Sequence, residues 1–217
     1  MEPATFREGH VEVNGDRIRY MEAGQGMPLV HLHPADGLRL TPAHDLLCRR
    51  FRVVALETPV FGQSPENTRT RGMPQLAATI AEAVRQLGID TFNLVGTSFG
   101  GPAALWLALH DPQRVLALVL EAPVAIPPDD GDGDLERRLA NLAAPTLVLF
   151  GTMDAVASPA LGRVYKALMP NCHLVFVYAA GHAISADRPE AFAEVVVDFL
   201  ERHEAFVISR AQTVIHP

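Results

Sequence analysis

Ser98 stands between Gly96 and Gly100 in "NLVGTSFGGPAALWLALHDP", residues 93–112, where a short apolar run passes into a longer one. A serine at the tip of a strand-to-helix turn is held in a strained backbone conformation, so the residues two places either side must be small. Both glycines meet that demand. Such a turn lifts the hydroxyl above a sheet and aims a helix N-terminus at it, where backbone N–H groups favour an oxyanion. A hydroxyl is a weak nucleophile at neutral pH and needs a base within hydrogen-bond reach. His182, next to Gly181 after the apolar run "CHLVFVYAAGH", is the candidate base. Asp154, closing "TLVLFGTMD", is the candidate orienting acid, and serine, acid, histidine is the chain order this turn requires. Glu121, closing "LALVLEAP", is a rival acid. Against these stands an ordinary tight turn with a surface loop histidine, a class to which His44, His110 and His203 would also belong.

These residues need elements to carry them. "HVEVNGDRIRYMEAG" alternates polar and apolar residues around Asn14-Gly15, the pattern of a β-hairpin. "MPLVHLHPA", "FRVVALETPVFGQS", "TFNLVGTS", "VLALVLEAP", "PTLVLFGTMD" and "CHLVFVYAAGH" read as short strands, several of them continuously apolar, as expected of strands covered on both faces. "MPQLAATIAEAVRQLGI" has helical spacing and stops near Gly88; "FGGPAALWLALHD", "SPALGRVYKALMP" and "RPEAFAEVVVDFLERH" are further helices. Strand and helix alternate along nearly the whole chain, which predicts an α/β fold with a doubly wound, mostly parallel sheet preceded by an antiparallel hairpin.

At 217 residues the chain suits one substantial domain. A net charge of −7 without a basic run argues against a nucleic-acid surface. No apolar run reaches the ~20 residues of a membrane span, and "MEPATFREGH" lacks the features of a signal peptide, so a cytoplasmic protein is expected. Cys48 and Cys172 lie far apart and read as reduced structural thiols. In "PVAIPPDDGDGD", Asp130, Asp132 and Asp134 suggest a calcium loop, but Leu135 and Asn141 stand where such a loop needs Gly and Glu. "HLHPAD" places His31 and His33 on one face of a strand, yet Ala35 occupies the position where a zinc site would need its acid. Neither a metal nor another cofactor is expected.

Taken together, "PLVHLHPA", "RVVALETPVFGQS", "LVGTSFGG", "PTLVLFGTMD" and "GHAISADRPEAFAEVVVDFL" resemble the α/β-hydrolase superfamily, most nearly its small serine esterases, over about residues 10 to 203. The resemblance implies one domain at 1–203; the C-terminal tail at 204–217 carries apolar residues after the last helix and is expected to pack on the domain or to form an edge strand for a partner, as in a homodimer. It implies Ser98 as nucleophile, His182 as general base and later acid, and Asp154 as orienting acid. Phe99 N–H and Ala35 N–H would form the oxyanion hole. The family's usual His-Gly is His33-Pro34 here, and proline has no N–H to give; His33 is expected to fix the loop. Residues 124–134 form a short loop where relatives commonly insert a lid, leaving a shallow site. Phe61, Phe99, Val124, Ile126, Val156 and Ile184 are candidate walls. The implied reaction is hydrolysis of a small-molecule carboxylic ester or thioester through an acyl-enzyme. The alternative is a non-catalytic ligand-binding or partner-binding protein on the same scaffold.

Overall fold

The computed structural model describes residues 4–58, 72–124, 135–169, 171–203 and 214–215. Its centre is set by side-chain parity along the strands. In β3 (Met27–Leu32), β4 (Phe51–Leu56), β5 (Phe92–Thr97), β6 (Val115–Glu121), β7 (Thr146–Gly151) and β8 (Cys172–Val177), successive residues point to opposite faces of one sheet. Val30, Val54, Leu94, Leu118 and Val148 enter one core, while Leu29, Val53, Val95, Val119 and Leu147 enter the other. Both faces are buried, so these strands are apolar without alternation, as the sequence indicated.

Two antiparallel strands precede them, β1 (Arg7–Val13) and β2 (Asp16–Ala23), in register from Arg7 opposite Glu22 to Val13 opposite Asp16. The turn between them needs positive φ at both central residues, and Asn14 (52°) and Gly15 (88°) supply it. β2 runs antiparallel to β4, and every later pairing is parallel. The order is β1-β2-β4-β3-β5-β6-β7-β8-β9, where β9 (Val214–Ile215) adds to β8. The chain leaves β3 toward β4 on one side and returns to β5 on the other. The crevice at the C-terminal ends of β3 and β5 is thus the switch point where doubly wound sheets gather ligands.

The first core is roofed by α2 (Met73–Gln86), α3 (Gly100–His110), α4 (Leu135–Ala140) and α5 (Ala160–Leu168). α3 is apolar all round, and Gly100 to Ala108 are buried without exception, so it is the central helix of that layer. α2 ends where expected: Leu87 caps it and Gly88 follows at φ 69°, a conformation glycine adopts freely. The second core is roofed by α1 (Pro42–Leu47), α6 (Ile184–Asp187) and α7 (Pro189–Arg202). Helices α1 and α6, six and four residues long, escape sequence reading because neither spans enough turns to show a period.

Of the loop at 124–134, only Val124 falls among the described residues; α4 follows it and closes on Asn141, whose side-chain amide donates to the Arg137 carbonyl at 2.7 Å. The calcium pattern at Asp130, Asp132 and Asp134 also lies outside the described residues, as do Phe61 and Ile126. In the tail, Val214 and Ile215 pair in parallel with Phe176 and Val177 of the same chain. Among the described residues, no helix is long and apolar enough to cross a membrane.

Candidate active site

The strand-to-helix turn after β5 imposes left-handed backbone on Ser98, at φ 54°. A non-glycine residue there is strained and has to be held. Ser98 N–H donates to the Glu121 carbonyl at 2.8 Å, and the Ser98 carbonyl accepts from Gly101 N–H at 3.1 Å. The flanking glycines answer to close approach. A Cβ at Gly96 would stand 2.6 Å from the Ala104 Cβ and 2.6 Å from the Gly100 carbonyl oxygen. A Cβ at Gly100 would collide with the Leu32 carbonyl oxygen, so glycine lets the start of α3 lie against the end of β3.

His182 reaches this turn from the loop after β8. Its Nε2 lies 2.8 Å from Ser98 Oγ and its Nδ1 2.9 Å from Asp154 Oδ2. Asp154 Oδ1 accepts Val156 N–H at 2.8 Å and Ala157 N–H at 2.9 Å, which fixes the carboxylate plane. The Asp154 side chain is fully covered, whereas that of His182 is 24% exposed. A carboxylate at Nδ1 keeps the proton on that nitrogen and turns the Nε2 lone pair toward the serine hydroxyl. Two close approaches bring the loops together. A Cβ at Gly151 would overlap the Ala180 and Gly181 carbonyl oxygens, and Gly181 N–H donates to Asp187 Oδ2 at 2.8 Å.

Phe99 caps the start of α3 with helical backbone (φ −66°, ψ −25°), and Ala35 sits exposed in a tight turn closed by Gly37 N–H on the Pro34 carbonyl at 3.2 Å. Buried His33 fastens that turn: Nε2 accepts Thr58 N–H at 2.8 Å while Nδ1 faces the Pro34 carbonyl. Burial lowers its pKa below the ordinary histidine value. His31 serves different partners, binding Thr97 and His44. Among the described residues, no group of three or more His, Cys, Asp or Glu is placed to hold a metal ion.

Glu121, the rival acid, is turned away from this hydrogen-bonded row. Its carboxylate accepts Thr97 Oγ1–H at 2.7 Å and Ser185 N–H at 2.7 Å. Burial pushes its pKa up, against hydrogen bonds from Ser185 and Thr97 that hold it down. His44 corrects the sequence expectation of a surface histidine: it is 4% exposed, and burial brings its pKa down to about 4. A lone histidine in a segment without helical period gave no sign of that. Among the candidate walls, Phe99 is 45% and Val156 70% exposed, Val124 packs against the first core, and Ile184 is wholly buried in the second. Met153 and Tyr178, not singled out in the sequence, are also large exposed apolar residues, at the ends of β7 and β8.

Ser98 thus stands on a turn at the switch point of a doubly wound sheet, with Asp154 and His182 brought to it from later strand ends. Residues 40–139, just under half of the chain, match the alpha/beta hydrolase fold family, a match that supports the α/β-hydrolase superfamily. The chain is 35% identical over 120 residues to the dihydrolipoyllysine-residue acetyltransferase component of the acetoin cleaving system of Cupriavidus necator, covering 52% of this chain but only 31% of that longer protein. ABHD14B of Homo sapiens is 24% identical over 207 residues, covering 90% of this chain and 95% of its own. Among solved structures, naproxen esterase (carboxylesterase NP) of Bacillus subtilis superposes with a TM-score of 0.80 at 16% identity, covering 91% of this chain and 92% of that one.

Proposed function

We infer that the protein is a serine hydrolase that cleaves carboxylic esters or thioesters through an acyl-enzyme. The observation that carries this reading is the continuous row from Asp154 through His182 to Ser98, with contacts of 2.9 and 2.8 Å, on a serine held at positive φ. A serine in a mere turn has no need of either partner.

In this reading Ser98 Oγ attacks the acyl carbonyl carbon as its proton passes to His182 Nε2. The carbonyl π electrons move to oxygen, and Phe99 N–H and Ala35 N–H stabilise the oxyanion. Collapse breaks the bond to the leaving group, which takes the proton from His182. Water then gives a proton to His182, attacks the acyl-enzyme and releases the acid, and the proton returns to Ser98 Oγ. Asp154 keeps the imidazole in the tautomer this cycle needs and stabilises its cation. The exposed apolar side chains of Phe99, Met153, Val156 and Tyr178 suit an acyl substrate that is accessible rather than engulfed.

ABHD14B is named, provisionally, as a protein-lysine deacylase. Amide deacylation uses the same acyl-enzyme, so acyl-lysine peptides belong in the substrate panel beside esters and thioesters. The test is steady-state and pre-steady-state hydrolysis of activated acyl esters and thioesters of rising chain length. A burst of one leaving group per chain, absent in Ser98→Ala, is expected; turnover that survives in Ser98→Ala would overturn the reading.

A further inference from the structure

Behind Ser98, on the face of the sheet covered by α1, α6 and α7, five buried polar residues form one continuous chain that starts from the backbone amide of half-buried Thr41. Thr41 N–H donates to His44 Nδ1 at 2.9 Å, and His44 Nε2 lies 3.0 Å from His31 Nδ1. His31 Nε2 lies 2.9 Å from Thr97 Oγ1, which in turn donates to Glu121 Oε2 at 2.7 Å. Glu121 Oε1 accepts Ser185 N–H at 2.7 Å. His31, His44, Thr97, Glu121 and Ser185 are each less than a tenth exposed. Leu29, Val53, Val95 and Phe192 flank the chain, and the cavity beside it is about 10 Å³, at the limit for a single water.

The direction of the bonds is set from the Thr41 end of the chain, where a backbone amide and a hydroxyl both meet His44 Nδ1. Thr41 N–H can only donate, and Thr41 Oγ1, 3.0 Å from the same nitrogen, can donate beside it, so the arrangement that satisfies both leaves His44 Nδ1 unprotonated and puts the hydrogen on Nε2. That hydrogen makes His31 Nδ1 an acceptor and His31 Nε2 a donor to Thr97 Oγ1. The threonine hydroxyl, having accepted, donates its own hydrogen to Glu121. At the far end Ser185 N–H also donates. All donors therefore converge on Glu121, and the position is built for a carboxylate with no proton of its own. A protonated carboxyl, or an amide in its place, would set a donor against Ser185 N–H, or would set one against Thr97 Oγ1 and either take away that hydroxyl's acceptor or reverse the chain. Reversal would end with an N–H at His44 Nδ1 that Thr41 Oγ1 could accept but that would face Thr41 N–H, donor against donor.

Glu121 touches both halves of the proposed catalytic row without joining it. Its carbonyl holds Ser98 N–H, its Oε2 holds Thr97 next to Ser98, and its Oε1 holds Ser185, three residues beyond His182. The groups facing the carboxylate are Thr97 and, through it, His31 and His44, together with Ser185; a positive charge on His182 would favour the carboxylate. We propose that Glu121, oriented by the one-way relay from Thr41 through His44, His31 and Thr97, is a positioning residue and second anion of the site. It ties the turn bearing Ser98 to the loop bearing His182 and stabilises the imidazolium that forms there. This rests on the serine hydrolase reading.

The test joins two measurements on the full chain. Side-chain ¹⁵N–¹H correlation spectra at neutral pH should show His31 and His44 both neutral with the hydrogen on Nε2. Either ring carrying its hydrogen on Nδ1, or charged, would overturn the relay. The rate at which a fluorophosphonate labels Ser98, measured across pH, should fall about tenfold or more in Glu121→Gln, and its acid limb should move down by about one pH unit as the anion is lost. A rate reduced equally at all pH values, with the limb unmoved, would reduce Glu121 to a packing role and overturn its part as second anion. Thr97→Val, which cuts the relay at nearly constant volume, covers a Glu121→Gln chain that does not fold; it should slow labelling, and Thr97→Ser should restore it. Wild-type rates in Thr97→Val would contradict the proposal. If the wild type takes no label, the hydrolase reading is what fails, and the histidine tautomers still decide the relay.

Discussion

Asp154 shows how much of the site's behaviour is held in single hydrogen atoms. Its Oδ1 is committed to two backbone N–H groups and its Oδ2 to His182 Nδ1. In Asp154→Asn the amide oxygen keeps the backbone donors, so the NH₂ group faces Nδ1 and drives the imidazole hydrogen onto Nε2, against Ser98. Labelling of Ser98 by a fluorophosphonate should then slow by roughly 10³–10⁴-fold with the fold intact; a loss below tenfold would show that Asp154 does not set the tautomer. The three residues of this row could be picked from the sequence because each lies where an apolar run ends beside a glycine or at a strand tip. Glu121 was visible only as a rival acid. Its partners, Thr97, His31, His44 and Ser185, come from four separate elements. Only the fold makes them neighbours.

At the scale of elements, the turn at Ser98 works because α3 starts almost in contact with the end of β3. Gly100→Ala would set a methyl against the Leu32 carbonyl, which is backbone and has little room to yield. The start of α3 would have to back away from the sheet, at a cost of about 1–3 kcal/mol. Chemical denaturation should report that loss, and Ser98 labelling should fall with it; an unchanged midpoint and rate would mean that the contact is relieved elsewhere. The strands and long helices were legible because two-faced burial leaves continuous apolar runs and α2 and α7 carry a clear period. Helices α1 and α6 were not, being too short to show one. Yet α1 delivers His44 and α6 delivers Ser185, so the part of the site hardest to read rides on the elements hardest to read.

For the whole molecule, buried neutral histidines couple folding to pH. Burial brings His44 down to about 4 and His31 well below its ordinary value, so near pH 5 the unfolded chain binds protons that the folded chain refuses. Stability is therefore full above about pH 6.5 and is lost as the pH falls toward 4, at up to about 1.4 kcal/mol per pH unit for each histidine. Glu121, whose carboxyl is raised by burial, works in the opposite sense and offsets part of one proton. Urea midpoints should decline steadily across that window; a flat profile would contradict neutral burial of the pair. The doubly wound architecture followed from the strand–helix alternation, while the strand order and the pairing of Val214 and Ile215 onto β8 depend on contacts that no local pattern encodes. The central claim, a working serine nucleophile, is tested most directly by the intact mass of the protein after exposure to a fluorophosphonate. One adduct on the wild type, absent in Ser98→Ala and slowed at least a hundredfold in His182→Ala, is the predicted result. A folded wild-type protein that takes no adduct, or a Ser98→Ala variant that still takes one, would contradict it.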